Sequence, residues 1–185
     1  MGSLSLPTSY EISTYTLTHK DRLCIFVMIT ILKPMNTDCD ICVKNEGINA
    51  NLLSTEYWHV ILSSNQGYLG RAYVTLRDHK GSLSDLSDDE WKDYADIARR
   101  LESAYKKGLG ATLTNWTCLM NNAYQTQPSV PHVHWHSIPR YRRPVTINGE
   151  TFTDPHFGHH YDRDQRRTVD ATTFQEILNK IRPNI

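Results

Sequence analysis

The chain has 185 residues, with 20 Lys and Arg against 20 Asp and Glu, so its formal charge is zero when histidine is neutral. That balance argues against a broad cationic face for duplex nucleic acid or an anionic membrane, since either needs a basic surplus on the surface. At 39% hydrophobic and 22% charged residues, the composition is that of a folded globular chain of one ordinary domain.

Residues 23–32 (LCIFVMITIL) form an apolar run after Lys20 and Arg22, a pattern that partly resembles a signal sequence. The run falls well short of the roughly 20 residues needed to cross a bilayer, and Lys33-Pro34-Met35 follows it with no small-residue cleavage site. It reads as a buried strand, or as an extension upstream of a domain that begins at Met35. We therefore divide the chain into an extension over residues 1–34 and one domain over 35–185, with a cytoplasmic location expected.

Four cysteines, Cys24, Cys39, Cys42 and Cys118, are too few for a disulfide scaffold. Cys39 and Cys42 make a Cys-x-x-Cys pair, whose spacing in a reducing compartment suggests a metal or a redox pair. Further on, residues 57–62 (YWHVIL) and 72–76 (AYVTL) are β-branched and aromatic with Asn65-Gln66-Gly67 between them, which predicts neighbouring antiparallel strands. Ser87-Asp-Asp-Glu90 matches a capping box. After it Trp91, Tyr94, Ala95, Ala98, Leu101, Ala104 and Tyr105 recur at helical spacing, which predicts a long amphipathic helix ended by Gly108 and Gly110.

Residues 112–120 (TLTNWTCLM) suit a strand, and a loop over 121–131 leads to residues 132–138 (HVHWHSI). The strict alternation there puts His132, His134 and His136 on one face of a strand, roughly 6.5–7 Å apart along the chain, with Val133 and Trp135 on the other. Phe174, Ile177, Leu178 and Ile181 mark a short helix that stops at Pro183,. Strands with helices inserted, and no regular βαβ alternation, indicate the α+β class. For the three histidines a polar face without chemistry, a metal-binding strand and a nucleophilic imidazole that attacks phosphorus all compete.

His132-Val-His134-Trp-His136-Ser-Ile138 resembles the signature of the histidine-triad superfamily of nucleotide hydrolases and transferases, His-x-His-x-His-x-x with x apolar. Asn121 and Ser129 stand where that family has a phosphate-contacting Asn or Gln and a Ser or Thr, and residues 70–79 (GRAYVTLRDH) resemble a strand that in the family begins Gly-His and ends on a histidine. The resemblance covers about residues 39–143. It implies a HIT-like fold: an antiparallel sheet, one long amphipathic helix and a short C-terminal helix. From its zinc-containing branch it also implies a structural Zn2+ held by Cys39, Cys42, His79 and His132, a closed tetrahedral Cys2His2 shell.

The same resemblance implies His134 as the nucleophile at the α-phosphorus of a nucleotide, with His136 beside the phosphate or the leaving oxygen. Asn121 and Ser129 would hold substrate oxygens. Arg140, with Arg142 and Arg143, could meet the outer phosphates of a dinucleoside polyphosphate, because guanidinium matches phosphate geometry. For Arg142 and Arg143 a solvated basic turn is the equal alternative. Dinucleoside polyphosphates are the expected substrate, nucleoside phosphoramidates the rival, and a nucleotide-binding module without turnover the non-enzymatic reading. A homodimer is implied by the family. The sequence departs from the family at Gln127-Pro128-Ser129, at Ser63 and Ser64, at Gly70-Arg71 and at Ser137, departures that bear on substrate choice. The stretch 154–161 (DPHFGHHY) reads as a surface loop and receives no role.

Overall fold

The structure, a computed structural model, describes residues 10–19, 22–31, 38–44 and 49–185. It divides into two compact units, Met1–Asn36 and Thr37–Ile185. In the first, β1 (Tyr10–His19) and β2 (Arg22–Ile31) form an antiparallel hairpin with Tyr10 opposite Ile31 and His19 opposite Arg22. Most of the apolar run is therefore a returning strand. The start expected at Met35 lies outside the described residues. No helix among the described residues is long and apolar enough to cross a membrane.

The second unit opens with a short helix, α1 (Asp40–Lys44), and is built on an antiparallel five-stranded sheet. Its strands are β3 (Asn51–Ser54), β4 (Trp58–Leu62), β5 (Ala72–Leu76), β6 (Leu113–Thr117) and β7 (His134–Arg140), in the spatial order β3-β4-β5-β7-β6. The period-two alternation sorts the two faces. Trp58, Val60 and Leu62 of β4 and Ala72, Val74 and Leu76 of β5 are buried in the core. Tyr73 and Thr75 project from the opposite face, beside His136 and His134 of β7. As predicted, β4 and β5 are antiparallel neighbours, with Trp58 opposite Leu76.

Helix α2 (Asp88–Leu109) begins at the expected capping box: Glu90 N donates to Ser87 Oγ at 3.2 Å and Ser87 N to the Glu90 carboxylate at 2.6 Å. Ile97, Leu101, Ala104, Tyr105 and Leu109 form its buried stripe, and each fully buried Leu or Ile contributes about 1.5–3 kcal/mol relative to exposure. Two hydrogen bonds tie α2 to the sheet, from Trp58 Nε1 to the Glu90 carbonyl at 2.9 Å and from Ser137 Oγ to Tyr105 Oη at 3.1 Å. Gly110 ends the helix in the left-handed conformation (φ 72°). Gly108 lies inside it instead, where a Cβ would collide with the Lys180 carbonyl oxygen of α3 (Ala171–Ile181). Ile177, Leu178 and Ile181 of α3 enter the same core, and Pro183 sits in the turn that follows. Between β7 and α3 is a small hairpin of β8 (Val145–Ile147) and β9 (Glu150–Phe152). Its turn residues Asn148 and Gly149 both have positive φ. Asn-Gly between two short apolar segments is a hairpin signal that the sequence displays, and it adds a pair of strands to those predicted.

Candidate active site and metal centre

Cys39 immediately precedes α1, and Val43 N donates to its carbonyl at 3.1 Å, so the three-residue spacing puts Cys39 and Cys42 on one side of a single helical turn. They meet two residues from distant parts of the chain. His132 Nδ1 lies 3.4 Å from each sulfur, and His79 Nδ1 lies 3.5 Å from Cys42 Sγ. All four candidate ligand atoms fall within 4.8 Å of one another. A tetrahedral zinc with bonds of about 2.3 Å to sulfur and 2.0–2.1 Å to nitrogen separates neighbouring S and N ligands by about 3.6 Å, so these spacings fit a metal shell.

The protonation of His132 fits as well. Its Nε2 lies 2.7 Å from the Leu76 carbonyl, to which it can only donate. Burial, and beyond it the charges of His79 and His134, lower its pKa to about 4. The ring is therefore neutral near pH 7, and its Nδ1 lone pair is turned toward the two sulfurs. A backbone carbonyl that orients the second nitrogen in this way is the usual support of a metal-bound imidazole.

Two residues along, His134 Nδ1 donates to the His132 carbonyl at 2.8 Å, so in the neutral ring Nε2 carries the free lone pair,. Its ring centroid is 5.1 Å from that of His136. His136 is held neutral, with its pKa lowered to about 4 chiefly by burial and then by the charges of His134, Arg71 and Arg163. Both rings open into a cavity of about 1160 Å³ over the sheet face that carries Tyr73 and Thr75. Asp38, Cys39, Asp40 and Ile41 wall one part of it, and Asn121 also lines it. The Cys2His2 cluster, through His132, thus adjoins the start of the strand that carries the two remaining histidines, without sharing a side chain with them.

Ser129 stands between two lining residues, Pro128 and Val130, and is not itself part of the wall. Arg140 corrects an expectation. It is 1% exposed and absent from the cavity lining, and all five of its N–H donors are taken within the protein. Nε and Nη2 bind the Asp154 carboxylate at 2.7 and 3.0 Å, Nη1 binds Asn115 Oδ1 at 2.7 Å and the His159 carbonyl at 3.0 Å, and Nη2 also binds the His156 carbonyl at 2.7 Å. No donor is left for a substrate phosphate. Arg140 instead pins the 154–160 segment to the sheet. Arg142 is exposed with its guanidinium 5.5 Å from the Phe157 ring, and Arg143 is exposed on the same bend; neither lines the cavity.

Among the described residues the cations that do face the cavity are Arg71, Arg163 and Arg166, and Tyr161 lines it beside them. Sequence reasoning did not assign them. For Arg71 the signal was present in the departure from Gly-His at Gly70-Arg71. For the others it was the polar stretch after residue 154, which Arg140 holds at Asp154, His156 and His159 and which Tyr68, Gly67 and Asn65 hold at Asp162, Gln165 and Arg167.

A HIT domain family model matches residues 47–143. Adenosine 5'-monophosphoramidase of Saccharomyces cerevisiae is 30% identical over 120 residues, which cover 65% of this chain and 64% of that protein, less than two thirds of its length. Among solved structures, a histidine triad protein from Sinorhizobium meliloti superposes with a TM-score of 0.59 at 14% identity, covering 82% of this chain and all of that one. A Zn-bound histidine triad family protein from Mycobacterium smegmatis gives 0.52 at 19% identity, with coverages of 76% and 89%. At such identities the structures bear on the fold, which is the α+β, HIT-like arrangement expected from the sequence.

Proposed function

From the premise that the chain belongs to the HIT domain family, we propose that it is a nucleotide hydrolase or transferase working at the α-phosphorus through His134. One observation carries the reading: the His132 carbonyl takes the Nδ1–H of His134 and leaves Nε2 as the lone-pair nitrogen of a ring that lines the cavity. Nε2 forms a bond to phosphorus while the bond to the leaving group breaks, and the leaving group takes up a proton. Water then attacks the nucleotidyl-histidine, gives up a proton, and His134 leaves as the neutral ring. His136 is the group placed to pass that proton out and recover it. A phosphate beside it raises its affinity for the proton, since an opposite charge favours the protonated form. Asn121 and the backbone near Ser129 orient the phosphate oxygens.

A phosphoramidate is the first substrate class we propose, with a P–N bond as the one broken; the 30% identical relative supports it. Dinucleoside polyphosphates are the second, supported by the arginines at the cavity. Cys39, Cys42, His79 and His132 hold a Zn2+ in this proposal, and the ion supplies charge to two thiolates and a cross-link between α1 and the triad strand. A cytoplasmic homodimer completes it, and sedimentation velocity of the full chain would give one species of twice the chain mass.

His134→Ala should abolish turnover of adenosine 5'-monophosphoramidate and of diadenosine polyphosphates while the thermal transition and metal content stay at wild-type values. Retained turnover in a pure preparation would refute the covalent route. Mass-spectrometric trapping of a nucleotidyl group on His134 is the direct positive result.

A further inference from the structure

Arg71 is 8% exposed and lines the cavity, and its Nε is buried without a hydrogen-bond partner. Among the described residues no carboxylate forms an ion pair with it; its guanidinium carbon lies 5.8 Å from the centroid of the Tyr73 ring. A buried cation kept without a counter-charge is costly, and a fold that retains one at a cavity wall has built a place for an anion.

The direction of that place follows from the register. Thr75 is opposite His134 and Tyr73 opposite His136. Side chains alternate along a strand, so Arg71 comes next on the same face, one step beyond His136 and away from the His132 cluster. Two further arginines, Arg163 and Arg166, reach the same cavity from the segment after Tyr161, and both are exposed. The acidic residues of the lining, Asp38 and Asp40, belong to the wall beside Cys39. Arg71 lies one step along the same face from His136, and the charges of Arg71 and Arg163 both bear on that ring, so the cationic group adjoins the histidine to which the proposed mechanism gives the leaving group's proton.

We propose that Arg71, flanked by Arg163 and Arg166, is an oxyanion subsite for the leaving group, so that the preferred substrate carries a phosphate or carboxylate on the part expelled from the α-phosphorus. The proposal rests on His134 as the nucleophile. It adds a selection for charge beyond the leaving atom, whereas the triad in this mechanism acts on the α-phosphate and the leaving atom.

The test uses the full chain and three substrates: an adenosine phosphoramidate of an uncharged amine, one of an amino acid with a free carboxylate, and a diadenosine polyphosphate. Losing a charge-assisted, two-pronged contact should lower kcat/KM of Arg71→Ala by about 10- to 100-fold on substrates with an anionic leaving group. On the uncharged-amine substrate the variant should lose only what the removed charge beside His136 costs, so the substrates with an anionic leaving group should lose about tenfold more than it does. A loss confined to the polyphosphate identifies phosphate as the anion, and one confined to the amino-acid adduct identifies carboxylate. Equal losses on all three substrates, or none on any, would overturn the subsite.

Calorimetric titration with inorganic pyrophosphate separates this proposal from the catalytic one. Pyrophosphate affinity that falls about tenfold in Arg71→Ala retains the subsite even if the wild type turns nothing over. Affinity untouched by Arg71→Ala, Arg163→Ala and Arg166→Ala discards it even if His134 is confirmed as the nucleophile. Should Arg71→Ala not fold, the exposed Arg163→Ala and Arg166→Ala carry the same comparisons, with losses of several-fold expected for partly solvated contacts.

Discussion

Replacing Arg140 by Met removes a guanidinium that is buried with its partner, the Arg140 and Asp154 side chains being 2% and 1% exposed. The carboxylate of Asp154 then stays in a dry site without its counter-charge, and the carbonyls of His156 and His159 lose their donors. Breaking one side of a buried pair of this kind costs about 3–5 kcal/mol. For a chain of this size each kcal/mol moves Tm by about 2–4 °C, so the loss should be roughly 6–20 °C. Thermal and urea unfolding of substrate-free protein measure it directly. Asp154→Leu alone should cost a similar amount, whereas Arg140→Met with Asp154→Leu should lose less than the sum, because neither charge is left stranded. A Tm within about 2 °C of wild type, too small for a buried pair, together with a raised KM, would refute this account and return Arg140 to the substrate.

Chelation of zinc-loaded protein, or Cys39→Ala, should release about one zinc per chain and lower Tm, as measured by elemental analysis and calorimetry, because the metal binds the folded arrangement of four ligands and not the open chain. His136 gives a pH dependence with a defined sign. Its folded pKa, about 4, is below the ordinary 6.5, so the unfolded chain binds more protons between those values. Its contribution to stability is present above about pH 6.5 and is lost as the pH falls toward 4, at up to about 1.4 kcal/mol per pH unit; urea unfolding at pH 7, 5.5 and 4.5 should follow that order, and His136→Gln should reduce the slope while His132, whose pKa is likewise lowered to about 4, keeps its own share. Ser87→Ala should cost about 1 kcal/mol through the lost cap. Gly108→Ala should cost about 1–3 kcal/mol, because the Lys180 backbone must move to admit the methyl group; chevron or equilibrium unfolding of both variants checks these values.

The locally encoded parts of this protein are legible in the chain before any fold is known. Alternation marks β4, β5 and the triad strand, although the ladder of the last begins at His134 and not at His132; Val133, just before it, already bonds to Lys80 and Leu76. Ser87 and Glu90 announce the start of α2 because both halves of a capping box lie within four residues,. Its end is less plain, since the missing side chain of Gly108 answers a contact with α3 and is not a helix stop. The meeting of Cys39 and Cys42 with His79 and His132 is anticipated only through resemblance, because no local rule brings residues 93 positions apart within 3.4 Å.

What opened as a neutral chain remains neutral in sum, and the sequence by itself determined the strand that carries three histidines on one face. Tertiary structure decided how the charges are spent. Arg140, next to the triad and the apparent phosphate ligand, is consumed by Asp154, Asn115 and two carbonyls. Arg71, distant in sequence and noted there only as a departure from the family, comes to the cavity with its Nε unpartnered. Spacing along a strand is set by local backbone geometry, but whether a guanidinium faces a ligand or a carboxylate depends on which loop folds over it, and that is settled only when the whole unit packs.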